Sequence, residues 1–233
     1  MHVVGIIPAR AGSKGLPGKH LLPLAGRPLI AWTFDAACAS RSLSRVIVST
    51  NDPAVADAAR AAGIDVPFDR PAALATDDTP MLDVLIHAVE RIEAAGDRPD
   101  ALVLLQPTSP LRTAAHIDAA VRMLQRSDAD AVVTVVPVPH RFNPASVMRL
   151  ENEKLIPNVG DGSVTRRQDK PPVYARNGPA VLAVRRDVIY LRRSLYGRNT
   201  QALVMAEHES IDIDTAWDFE LAALLLARRQ APS

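Results

Sequence analysis

Val3-Val4-Gly5-Ile6-Ile7 runs without a break into Pro8-Ala9-Arg10-Ala11-Gly12-Ser13-Lys14-Gly15-Leu16-Pro17-Gly18-Lys19-His20. A short apolar run that stops at once in glycines and cations reads as a buried strand delivering a loop to the edge of a sheet. Glycine lets backbone N–H groups approach phosphate oxygens, so Gly12 and Gly15 suit a phosphate cradle, while Arg10, Lys14 and Lys19 can offset the charge of a nucleoside triphosphate. Glycine-rich loops after strands also serve as plain turns, and spacing narrows the choice. A P-loop needs four residues between its first glycine and the Gly-Lys pair and then Ser or Thr; Gly12 to Gly18-Lys19 leaves five, and His20 follows. The dinucleotide fingerprint needs glycines at i, i+2 and i+5, whereas here they fall at 12, 15 and 18.

Outward from this loop, strands and helices alternate. Val46-Ile47-Val48-Ser49 reads as a short buried strand, after which Pro53 and Gly63 bracket an alanine-rich helix. Ala101 to Leu105 and Ala131 to Val136 repeat the continuous apolar pattern of parallel strands covered on both faces. Thr79-Pro80 opens a helix carrying Leu82, Leu85, Ile86, Val89 and Ile92 and closed by Gly96; Thr113 opens another with Ile117, Val121 and Leu124. The alternation predicts an α/β fold with an open, mostly parallel sheet flanked by helices, whose ligands bind beyond the carboxyl ends of the strands. Residues 137–176 break the rhythm with Pro137, Pro139, Pro144, Pro157, Pro171 and Pro172. They are expected to form a hairpin or arm leaving the sheet, with a second subunit as its packing partner. Residues 1–233 are otherwise expected to form a single domain.

A formal net charge of +1 gives no bulk attraction to nucleic acid or to an acidic membrane, so cationic work must be local. The lone Cys38 excludes an intramolecular disulfide, and Ala36-Ala37-Cys38-Ala39 reads as a packed helix face. No apolar stretch approaches bilayer length, and the first is too short, and lacks the basic leader, for a signal peptide. A soluble, cytoplasmic protein is expected.

Ser210-Ile211-Asp212-Ile213-Asp214-Thr215 precedes an apolar-periodic helix ending in Arg228-Arg229. On an extended backbone Asp212 and Asp214 point to one side, and converging hard oxygen ligands suit Mg2+ completed by substrate phosphates. Helix capping by Asp214 or Thr215 is the competing explanation, but it gives no reason for Asp212. In Leu105-Gln106-Pro107-Thr108-Ser109-Pro110-Leu111-Arg112, two prolines fix a polar loop after a buried strand. Gln106 is presented at the strand tip, with Thr108, Ser109 and Arg112 available to a ligand or the next helix cap.

Arg10-Ala11-Gly12-Ser13-Lys14-Gly15 with Lys19, then Leu105 to Arg112, then Asn177-Gly178, then Asp212-Ile213-Asp214-Thr215, together and in this order resemble the acylneuraminate cytidylyltransferases, the CMP-sialic acid synthetases. The resemblance covers about residues 3–228. It implies a Rossmann-like nucleotidyltransferase fold with a protruding dimerisation arm, acting on CTP and an acidic 2-keto sugar and releasing pyrophosphate. Carried over by position, Arg10, Ser13, Lys14 and Lys19 would hold the triphosphate, and Arg70, in Asp69-Arg70-Pro71, would join the nucleotide site. Gln106 and Asn177 would meet the sugar, and Asp212 and Asp214 would hold magnesium. In a homodimer, Arg167 with Arg166 would reach the sugar carboxylate across the interface.

The anomeric hydroxyl is a weak nucleophile, so its attack on the α-phosphorus needs a metal ion or a carboxylate, for which Asp214 is the candidate. Lys14 and Lys19 would stabilise the leaving pyrophosphate, with no covalent intermediate. Two departures from the resemblance stand out. His20 follows Lys19 where the family usually has Asn, placing a titratable ring beside phosphates. Pro179-Ala180-Val181 follows Asn177-Gly178 where alanine and an aromatic are usual, so a changed sugar pocket is expected. Asp212-Ile213-Asp214 also fits the Asp-x-Asp metal motif of nucleotide-sugar glycosyltransferases, although three cations suit a triphosphate better. A non-catalytic nucleotide-binding relative is the remaining alternative.

Overall fold

The computed structural model describes residues 1–12, 15–163, 166–176 and 178–230. In chain order its strands are β1 (Val3–Pro8), β2 (Pro23–Leu24), β3 (Arg27–Pro28), β4 (Arg45–Ser49), β5 (Ala101–Leu104), β6 (Ala131–Pro137), β7 (Met148–Glu151), β8 (Lys154–Pro157), β9 (Tyr174–Ala175), β10 (Leu182–Arg185) and β11 (Thr200–Val204). Its α-helices are α1 (Leu29–Cys38), α2 (Pro53–Ala61), α3 (Met81–Ala94), α4 (Ala114–Arg126), α5 (Arg186–Tyr190) and α6 (Ala216–Gln230). The main sheet runs β11-β6-β10-β5-β1-β4. β1 lies between two parallel neighbours, with Ile6 opposite both Ile47 of β4 and Leu104 of β5.

β1 is apolar throughout because both of its faces are covered. Val3 and Ile7 pack with Ile30 and Phe34 of α1, Val55 of α2 and Ile117 and Val121 of α4. The alternate residues Val4 and Ile6 pack on the other face with Leu85, Ile86, Val89 and Ile92 of α3 and Val188 of α5. The period of two along a strand sends neighbours to opposite sides, so a strand between two helical layers shows no polar residues. Each fully buried Ile or Leu contributes about 2–3 kcal/mol relative to exposure. A third cluster joins Leu24, Leu29 and Leu111 to Ile213, Ala222 and Leu226, and this docks α6 near the loops after β1 and β5.

The helix boundaries follow the expected punctuation. Pro53 is the first residue of α2, whose N-cap Asp52 accepts from the Ala54 N–H at 3.0 Å. α3 begins after Pro80 and closes on Gly96 at φ 86°, a conformation that favours glycine. Thr113 caps α4 in a reciprocal box with His116.

Three features differ from the expectations. β10 runs antiparallel between β5 and β6, and the short β9 antiparallel to the end of β6, so two strands of the mostly parallel sheet oppose the rest. Cys38 is exposed at the end of α1, since Ala36 and Ala37 are the residues that face the core. Residues 210–214 form no strand, with Ile213 buried, Asp212 half-buried and Asp214 exposed. The stretch between β6 and β10 departs from the path of the main sheet. It contains the antiparallel hairpin β7–β8 and returns as β9, which pairs with Val136 and Pro137 at the end of β6.

Candidate active site

The carboxyl ends of β1, β4 and β5 deliver three loops to one place. Arg10, Lys19 and His20 come from the loop after β1, Arg70 from the segment beside the end of β4, and Gln106 and Thr108 from the loop after β5, and all six line one cleft of about 160 Å³. The loop after β1 is tied down at several points. Ala9 N–H donates to Ser49 O at 3.0 Å and Ala11 N–H to Asn51 Oδ1 at 2.9 Å. The Arg10 guanidinium donates to Gly12 O at 2.5 Å and pairs with Asp77. Gly12 and Gly18 adopt φ 68° and 65°, the left-handed turns that bring the chain back over the sheet edge.

Arg70 is buried and fixed by Ser49, donating Nη2 to its carbonyl at 2.5 Å and Nε to its hydroxyl at 3.2 Å. Burial, with Arg10 nearby, lowers its pKa to about 10, so it remains cationic at neutral pH. His20 is 9% exposed and its Nδ1 has no hydrogen-bond partner among the described residues. Burial, reinforced by the charges of Lys19, Arg70 and Arg10 and opposed only by Asp52, lowers its pKa to about 4. The ring is therefore neutral at physiological pH.

Gln106 is placed by Arg112, which is buried rather than open to a ligand. Its guanidinium donates to Gln106 O at 3.1 Å, Ala180 O at 2.7 Å and Thr33 Oγ1 at 2.7 Å. One cation thus ties the loop after β5 to α1 and to the residues entering β10. Val181 is also wholly buried, exchanging hydrogen bonds with Thr134, so this departure from the expected pattern lies in the core and not on the cleft wall.

The acidic pair approaches from the other side. Ile213 N–H donates to Thr108 O at 2.8 Å, which joins the loop before α6 to the loop after β5. Asp212 is hydrogen-bonded by the Thr108 hydroxyl, yet its Oδ1 is buried without a partner among the described residues. Burial raises its pKa, the neighbouring Asp214 charge adds to this, and Thr108 and Lys19 oppose it. A Cβ on Gly178 would overlap the Asp212 carboxylate, which accounts for glycine in that place. Gly15 has a similar role: a Cβ there would lie 2.5 Å from Asp214 O, so its use is contact with the acidic loop. Lys19 Nζ donates to Ile213 O at 3.0 Å and lies 3.7 Å from Asp214 Oδ1. The N-cap of α6 is Thr215 in a box with Asp218, whose Oδ2 accepts from the N–H groups of Asp214 and Thr215 and from the Thr215 hydroxyl.

The structure therefore gathers Arg10, Lys19, His20, Arg70 and Gln106 around one cleft and sets Asp212 and Asp214 at its edge through Thr108 and Lys19. Ser13, Lys14 and Asn177 lie outside the described residues. Arg166 and Arg167 stand exposed on the arm, Arg166 paired with Asp169 at 3.1 Å, and neither lines the cleft. The sequence reading missed Asp77 and the structural use of Arg112 and Asp218. Only the last had a local signal, the Thr215-x-x-Asp218 spacing of a capping box.

A model of the cytidylyltransferase family matches residues 4–228. The chain belongs to that family. It is a nucleotidyltransferase, and relatives cover nearly all of it. The CMP-N,N'-diacetyllegionaminic acid synthase of Legionella pneumophila is 33% identical over 99% of this chain and 98% of its own length. The N-acylneuraminate cytidylyltransferase of Streptococcus agalactiae serotype V is 36% identical over 94% of this chain, which spans 52% of that longer protein. Among solved structures, CMP:2-keto-3-deoxy-manno-octonic acid synthetase complexed with CTP superposes with a TM-score of 0.74 at 20% identity, covering 98% of this chain and all of that one. This likeness establishes the same nucleotidyltransferase fold.

Proposed function

We propose that this cytidylyltransferase transfers CMP from CTP to the anomeric hydroxyl of an acidic 2-keto sugar of the nonulosonic class, sialic acid or a relative, and releases pyrophosphate. The observation that carries the reading is the convergence of Arg10, Lys19, Arg70 and neutral His20 on one cleft, with Gln106 on its wall and a carboxylate pair at its edge. The cations supply the charge complement of a polyphosphate, in a site walled by buried, already oriented groups. A nucleotide-sugar glycosyltransferase, whose donor carries a diphosphate, has less use for them.

Arg10, Lys14 and Lys19, with Ser13 and the backbone of Gly12 and Gly15, hold the triphosphate and stabilise the leaving pyrophosphate. Arg70 and His20 complete the nucleotide site. Gln106 and Asn177 orient the sugar so that its hydroxyl faces the α-phosphorus, and Asp214, the exposed carboxylate, assists removal of its proton. The donor set fits a divalent cation: a buried Asp212 oxygen without a hydrogen-bond partner, close to a second carboxylate, is costly unless a cation covers it. Asp212 and Asp214 would hold magnesium. When bound, Mg2+ supplies charge neutralisation at the phosphate and lowers the pKa of a coordinated hydroxyl.

Residues 137–176 act as a dimerisation arm on a single catalytic domain spanning 1–233. Leu150 and Leu155 are cross-strand partners in the β7–β8 hairpin and are 72% and 68% exposed, an apolar face suited to a second copy of the chain. In that homodimer Arg167 and Arg166 meet the sugar carboxylate in the partner's site. No helix among the described residues is long and apolar enough to cross a membrane, in keeping with a cytoplasmic enzyme.

The test is pyrophosphate release with each of the four nucleoside triphosphates against a panel of nonulosonic and octulosonic acids. Turnover is expected with CTP and a nonulosonic acid. No turnover with any pair would sink the enzymatic reading, and release of a free nucleoside diphosphate from a nucleotide-sugar would favour the glycosyltransferase.

A further inference from the structure

Lys19 belongs by sequence to the nucleotide loop, yet its ammonium is spent on the acidic loop. It donates to Ile213 O at 3.0 Å and lies 3.7 Å from Asp214 Oδ1, with the side chain only 13% exposed. The same contact is reinforced by Gly15, whose missing side chain lets the nucleotide loop press on the Asp214 carbonyl, and by Asp218, which fixes the Asp214 and Thr215 N–H groups from behind. A cation of the chain itself therefore stands beside the carboxylates proposed to receive a cation from outside.

We infer that Lys19 is a placeholder cation: it holds Asp214 in the nucleotide-free enzyme, hinders divalent metal binding there, and moves to the triphosphate when nucleotide enters, so that nucleotide and metal bind together. The inference rests on the CTP and magnesium assignments above. Two positive charges a few ångströms apart repel, and one carboxylate cannot be fully used by both. The triphosphate offers Lys19 a denser negative charge, and its departure leaves Asp214 free beside the unpartnered Oδ1 of Asp212. Metal affinity then rises on nucleotide binding for two reasons, the phosphate oxygens added as ligands and the ammonium removed. The linkage is reciprocal, so metal also favours the nucleotide-bound position of Lys19. Lys19 is in this sense a positioning residue for Asp214 before it is a phosphate ligand.

The experiment measures Mn2+ affinity by electron paramagnetic resonance in the wild type, Lys19→Gln and Lys19→Arg, first without nucleotide and then with a saturating non-hydrolysable CTP analogue. Without nucleotide, Lys19→Gln is expected to bind Mn2+ on the order of three- to tenfold tighter than the wild type, the range left after solvent screens a like charge near an exposed carboxylate. Lys19→Arg should stay at the wild-type value. With the analogue bound, the advantage of Lys19→Gln should vanish. Lys19→Met, which keeps the apolar stem, takes its place if the amide variant does not fold. An uncharged variant that binds Mn2+ no tighter than the wild type overturns the inference, as does an equal advantage that persists with the analogue bound. Absence of Mn2+ binding to the wild type in both states overturns the metal assignment itself, and this inference with it.

Discussion

Arg112 and Arg167 carry the same guanidinium into opposite surroundings. Arg112 sits under the cleft, 3% exposed, and joins three segments through two carbonyls and a hydroxyl. Arg167 stands on the arm in a short helical turn and faces solvent. Under the cleft a buried guanidinium thus fixes the loop that carries Gln106 to the core. The segment between β6 and β10 presents exposed cations, Arg166 among them although it pairs with Asp169, and an exposed apolar hairpin face. Buried, hydrogen-bonded charge fixes geometry at a cost in desolvation, whereas exposed charge costs little and acquires a purpose from what approaches it.

The largest expected effect separates catalysis from stability inside the cleft. Asp212→Ala should lower turnover by about a thousandfold or more, a barrier increase of roughly 4 kcal/mol, with the melting temperature unchanged or raised. Removing a buried carboxylate with an unpartnered oxygen relieves a desolvation cost, so the fold does not suffer. Near-normal turnover across a magnesium titration would refute the role of Asp212. Arg112→Leu should do the reverse. Its loss leaves Ala180 O and Thr33 Oγ1 without that donor and Gln106 O with only the Ser109 N–H, and chemical denaturation should show a loss of roughly 3–4 kcal/mol. A loss below 1 kcal/mol would mean that water replaces the guanidinium and that the cleft is less rigid than the arm comparison requires.

The third effect is a pH dependence of folding. His20 has its pKa lowered from 6.5 to about 4, so the folded chain holds fewer protons than the unfolded chain between those values. Its contribution is complete above pH 6.5 and is lost as the pH falls towards 4. Integrated over the window this is about 3 kcal/mol. The stability difference between the wild type and His20→Asn should therefore shift by that amount, against the wild type, between pH 7.5 and pH 4. A difference independent of pH would show that the ring is already hydrated in the cleft.

Much of this was legible in the chain, for reasons that differ by residue. β1 announced itself because a strand covered on both faces needs apolar residues throughout, and the ends of α2, α3 and α4 were marked by Pro53, Gly96 and Thr113, whose backbone preferences are local. A cluster of prolines marked the stretch between β6 and β10 that holds the β7–β8 hairpin. The antiparallel placement of β10 was not, because Leu182–Arg185 has the same short apolar pattern as a parallel strand, and its direction is decided by chain connections far away in sequence. Nor could spacing reveal where Lys19 points. Its partner Ile213 O is a backbone atom 194 residues away, and any residue type would have supplied it. Cys38 was misplaced because alanine neighbours signal a packed helix, but the last residue of α1 faces solvent.

The smallest expected effect tests the arm. Arg167→Ala should leave stability and the KM for CTP unchanged while raising the KM for the sugar about tenfold, the loss of roughly 1.4 kcal/mol expected for one partly solvated contact to a carboxylate. An effect on sugar KM has two sources, a contact within one chain or a contact across a dimer. The paired substitution Leu150→Asp and Leu155→Asp distinguishes them, because it touches no group of the cleft and places like charges opposite one another on the exposed hairpin face. If the arm works across the interface, this variant should sediment as a single chain and show the same rise in sugar KM as Arg167→Ala. Combining the two should then add nothing further, since a contact already lost with the dimer cannot be lost again. A monomeric hairpin variant with wild-type sugar KM would overturn the contact across the interface: Arg167 would then act within its own chain if Arg167→Ala still raises that KM, and outside the site if it does not.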